Sequence, residues 1–347
     1  NMGRVRATYC LVLLLISSFT AGCLESNNTD VNVDFLSEYS DEIERPDPNQ
    51  YQCLEFDEWE RCWLTYIPES VNASSSVPVL FELHGWSASA FEMRNITGLQ
   101  EFADEKGIIV IHPEGIAFEG SGAFGDGEES WNGGHCCGDA AVLDVDDVGF
   151  LSLLITKMVE EYPIDENRVY FTGWSNGCIM SQRMALQASD LIAAVACTSG
   201  YLGFLDDSEY IPIPIMEMHG VFDEIAQYSN SVRIALLEED SQNIEAIQSG
   251  AHENLYDWAN FNGCEGLIAD SITPNSAYTI ERFTSCENNS EVALFTSLNG
   301  GHNLYENDAC NLGIGWSCWG NQGVFDTHQI IWDFVSRYSK NQTNGSL

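Results

Sequence analysis

Arg168-Val169-Tyr170-Phe171-Thr172-Gly173-Trp174-Ser175-Asn176-Gly177 decides how the rest of this chain is read. The apolar and β-branched run Val169–Thr172 predicts a strand, and residues 177–188 predict a helix. The five residues that join them read Gly-Trp-Ser-Asn-Gly. G-x-S-x-G means little alone, but between a strand and a helix it describes a sharp turn that lifts a serine hydroxyl above a sheet edge. The helix then points its first N–H groups at any negative charge that forms beside that hydroxyl. Ser175 is the candidate nucleophile and the Asn176 N–H a candidate oxyanion donor.

Working outward, the same alternation recurs. Val79–Leu83 and Ile108–Ile111 are short apolar runs ending at Gly- or Pro-containing turns, and Ala193–Cys197, Ile215–Met218 and Val292–Leu298 read as further strands, the first two buried. Residues 146–161 carry a helical stripe of Val148, Leu151, Leu154, Ile155, Met158 and Val159, with Asp146 and Asp147 at its positive end. Asp144, Asp146 and Asp147 therefore read as a helix cap rather than a charged site. Asp326–Tyr338 predicts a closing helix with Ile330, Ile331, Phe334 and Val335 inward. Strands alternating with helices predict an α/β fold, a mostly parallel sheet with helices on both faces. A ligand site is expected at the carboxyl ends of its strands. Residues 116–145 and 303–323 are rich in Gly, Asn, Asp, Cys and Trp and read as long functional loops.

A serine hydroxyl needs a base, and the base an orienting acid. In hydrolases of this architecture they follow in the order Ser, acid, His. His302, in Asn299-Gly300-Gly301-His302 after the strand Val292–Leu298, is the candidate base; His252 and His328 lie in helical stretches and read as surface or core. Asp223, in the turn after Ile215–Met218, is the candidate acid, with Asp206, Asp207 and Glu224 as weaker alternatives. His219 reads as a structural turn residue. The second oxyanion donor is assigned to the Trp86 N–H, in the turn after Val79–Leu83. Trp131, Trp316 and Trp319 fall in the long loops and are the candidate substrate contacts.

The 347 residues suffice for one large domain, and 44% hydrophobic composition excludes a disordered chain. With 13 Lys+Arg against 53 Asp+Glu the net charge is −40, which excludes nucleic acid and anionic lipid as natural partners. Arg4, Arg6 and the run Tyr9–Ile16, followed by Ser17 to Cys23, have the parts of an export signal over residues 1–22. Thr20-Ala21-Gly22-Cys23 resembles a lipobox, which implies membrane attachment through a lipidated Cys23. Residues 23–50, acidic and without periodicity, read as a tether, and 51–340 as the domain. Secretion or display at the cell surface as a monomer is expected.

Twelve cysteines fit an oxidising compartment. Cys10 leaves with the signal. Cys53 and Cys62 face each other about Asp57-Glu58 as in a hairpin, while Cys264 with Cys286, and Cys310 with Cys318, each close a loop. Cys136, Cys137, Cys178 and Cys197 stay unpaired at this level. His135-Cys136-Cys137 lacks a second ligand pair at zinc spacing, and residues 125–129 lack the spacing of a calcium loop, so no metal or other cofactor is expected. N-x-S/T sequons stand at Asn27, Asn72, Asn95, Asn288, Asn341 and Asn344.

Several pieces carry a resemblance. They are LHGW (83–86), GIIVIHPEG (107–115), WN and CCG within 131–138, DVDDVGF (144–150), RVYFTGWSNG (168–177), HGVFDEIAQY (219–228), WANFNGC (258–264), GGH (300–302) and the helix after Asp326. In this order, over about residues 52–338, the chain resembles the polyhydroxybutyrate depolymerase and feruloyl esterase group of secreted esterases, within the α/β-hydrolase superfamily. The resemblance implies an α/β-hydrolase fold, an ester substrate, a Ser175–His302–Asp223 triad and a Cys264–Cys286 bridge. The chain departs from the group in having Cys178 where a second glycine is usual. Asn303-Leu304-Tyr305 also stands in place of a Trp-Pro, followed by an insertion with Cys310, Trp316, Cys318 and Trp319. Two other readings of the turn are a serine peptidase of prolyl-oligopeptidase type and a non-catalytic binding protein on a hydrolase fold. The chain shows no propeller repeat, which disfavours the first; an intact triad disfavours the second.

Overall fold

The computed structural model describes residues 43–117, 129–134, 136–202, 209–229, 250–305 and 325–340. The export signal, Cys23, Asp206, Asp207, His135, Cys310, Cys318, Trp316, Trp319 and the sequons at Asn27, Asn341 and Asn344 lie outside the described residues.

The strands are β1 (Gln52–Phe56), β2 (Trp59–Tyr66), β3 (Val77–Leu83), β4 (Ile109–Pro113), β5 (Ile164–Gly173), β6 (Ala194–Thr198), β7 (Ile215–Gly220), β8 (Ser271–Pro274), β9 (Tyr278–Phe283) and β10 (Val292–Ser297). They form one sheet in the order β1-β2-β4-β3-β5-β6-β7-β10-β9-β8. From β4 to β10 the neighbours run parallel. Antiparallel strands extend the sheet at both ends. Every residue of β4, β6, β7 and β10 is buried, which is why these strands are mostly apolar on both faces; in β7 the polar exceptions Glu217 and His219 are buried against each other.

The helices are α1 (Ala90–Thr97), α2 (Leu99–Lys106), α3 (Gly138–Val142), α4 (Asp147–Glu161), α5 (Asn176–Gln187), α6 (Ala251–Phe261) and α7 (Thr327–Val335). Alternate strand residues feed two cores. Phe81 and Phe171, stacked at 4.8 Å, pack with Leu151 and Leu154 of α4, Met180 and Met184 of α5, and Leu255 and Trp258 of α6. Leu80, Tyr170, Met216 and Phe295 pack on the other face with Leu99 and Ala103 of α2 and Ile331 and Phe334 of α7. Asp326 caps α7 through the Gln329 N–H at 2.9 Å. This is an α/β-hydrolase fold.

The structure alters three expectations. Residues 43–50, read as the end of a free tether, are held to the domain. Arg45 donates to the Glu69 and Val71 carbonyls, and Arg94 donates to the Pro48 carbonyl and to Asn49. The region read as one loop over 116–145 contains the short helix α3. Of the three aspartates read as a cap, only Asp146 caps α4, accepting the Gly149 N–H at 2.9 Å. Asp147 is buried against Arg61 at 2.6 Å, and Asp144 accepts from Asn132. Burial of both Asp147 and Arg61 makes this ion pair a structural core element, with the guanidinium over the Phe150 ring at 4.0 Å.

Cys53–Cys62 bridges the β1–β2 hairpin across directly facing positions, and Cys264–Cys286 ties the end of α6 to the segment after β9. Cys178 pairs with Cys197, linking α5 to β6, and Cys136 pairs with its neighbour Cys137. Disulfides of this number fit an extracellular protein.

Candidate active site

Because β3, β5, β7 and β10 are parallel, the turns after them emerge on one edge of the sheet. These are the turns that carry Trp86, Ser175, Asp223 and His302. Ser175 stands between β5 and α5 with φ 55° and ψ −120°, a backbone conformation that L-residues rarely adopt. The surroundings hold it there: its N–H donates to the Thr198 carbonyl at 2.9 Å, and its carbonyl accepts from Cys178 and Ile179. A Cβ on Gly177 would lie 2.2 Å from the Leu83 carbonyl oxygen, so the close approach of α5 to β3 excludes any side chain there. Gly220 plays the matching part between β7 and β10: a Cβ there would lie 2.3 Å from the Gly300 carbonyl oxygen. That contact lets the Asp223 turn and the His302 turn sit together.

His302 Nε2 is 2.9 Å from Ser175 Oγ, and His302 Nδ1 is 2.9 Å from Asp223 Oδ2 and 3.1 Å from Oδ1. Asp223 Oδ1 also accepts the Ile225 and Ala226 N–H groups at 2.9 and 2.7 Å. Burial alone would push the Asp223 carboxyl up, but His302 and His219 hold it well below the usual carboxylate range. Glu224, a weaker alternative for the acid, accepts the backbone N–H of His302 at 3.2 Å instead of meeting the imidazole. The Trp174 ring lies 5.2 Å from that of His302. Asn176 is the first residue of α5, where backbone N–H groups have no intrahelical acceptor. Trp86 follows Gly85, whose backbone abuts the Trp174 ring.

Trp131, read as a substrate contact, is fully buried instead. Its indole N–H donates to the His84 carbonyl at 3.1 Å, and its ring packs on His84 at 5.1 Å. Its backbone is clamped by Asn176: the Trp131 N–H donates to Asn176 Oδ1 at 2.7 Å and Asn176 Nδ2 donates to the Trp131 carbonyl at 3.0 Å. Trp131 is therefore a strut beneath the site, in a loop whose composition alone does not distinguish lining from filling. Trp131→Ala is expected to lower stability by about 3–5 kcal/mol. A urea titration checks this; a raised KM with an unchanged urea midpoint would restore the substrate reading.

His219, read as a turn residue, is the fifth residue of β7 and is buried beside Asp223, with Nε2 3.3 Å from Asp223 Oδ2. Its Nδ1 meets Glu217 Oε1 at 2.5 Å. Residues 217 and 219 share one face of the strand by the two-residue period, the signal that would have found the pair. Of the helical histidines, His252 meets Glu281 at 2.7 Å and His328 packs on Phe102. Among the described residues no group of three or more His, Cys, Asp or Glu is arranged to hold a metal ion. Among them, too, no helix is long and apolar enough to cross a membrane.

No family model matches the chain. It is 28% identical over 240 residues to feruloyl esterase B of Piromyces equi, which covers 68% of this chain and 41% of that protein. It is 29% identical over 163 residues to a bifunctional acetylxylan esterase/xylanase of Neocallimastix patriciarum, covering 47% of this chain and 21% of that protein. The chain thus spans less than half the length of these curated relatives. Among solved structures, an acetyl xylan esterase from Aspergillus awamori superposes with a TM-score of 0.54 at 15% identity, over 76% of this chain and 98% of that one, a likeness of fold. By sequence the chain is thus similar to feruloyl and acetylxylan esterases over part of their length, and its fold is that of an α/β-hydrolase.

Proposed function

We propose that this chain is a serine carboxylic-ester hydrolase that works through Ser175, His302 and Asp223. The observation that carries this reading is the continuous hydrogen-bonded line from Ser175 Oγ through the His302 ring to Asp223, each step at 2.9 Å. Ser175 Oγ attacks the ester carbonyl carbon while His302 Nε2 takes its proton. The N–H groups of Asn176 and Trp86 hold the oxyanion. Asp223 keeps the proton of neutral His302 on Nδ1, so that Nε2 is the free base, and it stabilises the imidazolium that forms. The imidazolium gives its proton to the leaving alcohol. Water, deprotonated by the same nitrogen, then splits the acyl-serine to release the acid. The relatives named as feruloyl and acetylxylan esterases support an ester carried on polysaccharide as the substrate class, with acyl group and sugar to be chosen by assay. The signal-like residues 1–22 and the disulfides support export, with Cys23 as lipid acceptor.

The test is a fluorophosphonate probe followed by peptide mapping, beside a panel of p-nitrophenyl acetate, ethyl ferulate, acetylated xylan and hydroxybutyrate oligomers. Label on Ser175 together with turnover of at least one ester is expected. A folded protein that takes no label and hydrolyses nothing would overturn the reading and favour a binding protein. Intact mass of the exported chain reads the lipid on Cys23 in the same preparation.

A further inference from the structure

Asp223 lies between two imidazoles, and only one of them reaches Ser175. The other, His219, is fully buried. Its Nδ1 faces Glu217 Oε1 at 2.5 Å. Its Nε2 faces the Ala226 carbonyl oxygen at 2.5 Å, Asp223 Oδ2 at 3.3 Å and the Tyr201 hydroxyl at 3.2 Å. That hydroxyl donates to the Ala226 and Gln227 carbonyls, so toward His219 it presents its oxygen. Oxygen acceptors thus surround both ring nitrogens. A neutral imidazole would aim one lone pair at a carboxylate or a carbonyl inside the protein, a costly arrangement that a second ring proton removes. The Tyr201 ring, stacked at 4.9 Å, and the Tyr228 ring at 5.9 Å close the remaining sides. Burial pushes the Tyr305 phenol well up, and the charges of Asp223 and Glu217 add to that push.

We propose that His219 is a positioning residue: a permanently protonated imidazole, pinned by Glu217, that shares Asp223 with His302 and so sets the pH at which His302 becomes a competent base. The inference rests on the triad reading above. Burial would push His219 down, yet Glu217 and Asp223 push it up to about 10. Burial pushes the Glu217 carboxyl up, and the same cation offsets only part of that push. A carboxylate already bonded to one cation attracts a second less strongly. Protonated His302 is then held less firmly than it would be by an unshared Asp223.

The test compares wild type with His219→Gln, which keeps an amide donor and removes the charge, and with Glu217→Gln, which leaves the imidazole but loosens its hold on the second proton. Two readouts are taken. The acid limb of kcat/KM against pH is expected to move upward by about one unit in His219→Gln and by less in Glu217→Gln. The ring nitrogens of His302, followed by NMR in 15N-histidine-labelled protein, are expected to titrate upward by the same amount, and those of His219 in wild type to be both protonated at pH 8. A merely structural role would lower the unfolding midpoint and leave limb and titration where they were. A singly protonated His219 in wild type, or an unshifted His302 titration in a folded variant, overturns the proposal. The NMR arm needs no turnover. A wild type that hydrolyses no ester would sink the esterase reading, while an active wild type with an unshifted His219→Gln would sink this inference alone.

Discussion

Ser175→Ala is expected to lower kcat for ester hydrolysis by at least about 10⁴-fold and to leave the fold in place. The change removes one oxygen. The strained backbone at this residue is held by main-chain bonds, from the Ser175 N–H to Thr198 and from Cys178 and Ile179 to the Ser175 carbonyl, none of which uses the hydroxyl. Alanine therefore inherits the turn, and the unfolding midpoint should move little. Substrate contacts also persist, so KM should change far less than kcat. What is lost is the covalent path: without Oγ, His302 Nε2 has no hydroxyl at 2.9 Å to deprotonate. Donors at the start of α5 can still polarise a carbonyl for attack by water, so a residual rate above the uncatalysed one is expected. Turnover of p-nitrophenyl acetate within tenfold of wild type, in a preparation free of contaminating esterase, would remove Ser175 from the mechanism.

How much of this was legible beforehand follows from burial. The parallel strands could be read because they are covered on both faces and are apolar at successive positions, as over Ala194–Cys197 of β6 and Val292–Phe295 of β10. Strands β8 and β9, at one end of the sheet, could not: Ser271–Pro274 and Tyr278–Phe283 are mostly half-buried or exposed and mix polar or charged with apolar residues. Helices α1 and α2 escaped for a similar reason. They are short, they bury few residues, and their boundaries are set by a Ser89–Glu92 capping box and the left-handed glycines Gly98 and Gly107 rather than by a long stripe. At the site, Ser175, Asp223 and His302 were legible because each follows a readable strand on a glycine-bearing turn. The pairing of Cys178 with Cys197 depends on how α5 lies against β6, which no local pattern encodes. Trp131 was misplaced because an aromatic in a polar loop fits a lining and a strut equally well; only the Asn176 clamp separates them.

Asp223→Asn is expected to cost about 10⁴-fold in kcat near neutral pH, by reversing a tautomer rather than by removing a contact. The Ile225 and Ala226 N–H groups, at 2.9 and 2.7 Å, require an acceptor where Oδ1 stands, so the amide oxygen must take that place. The amide nitrogen then replaces Oδ2 and donates toward His302 Nδ1. His302 answers by carrying its proton on Nε2, which faces Ser175 Oγ and can no longer accept from it. The same nitrogen would also face His219 Nε2, donor against donor, so stability should fall by about 3 kcal/mol as well. That loss has a pH signature. The folded-state pKa of Asp223 is depressed, so its carboxylate stabilises the fold at pH above the unfolded value of about 3.9, and this contribution disappears as pH falls below it toward the folded value. Urea midpoints of wild type and Asp223→Asn should therefore differ most at pH 6, and the gap should begin to narrow as pH falls below about 3.9 toward 3. A constant gap over that range would mean that Asp223 is not held as a stabilised carboxylate. An active Asp223→Asn at neutral pH would show that another group orients His302.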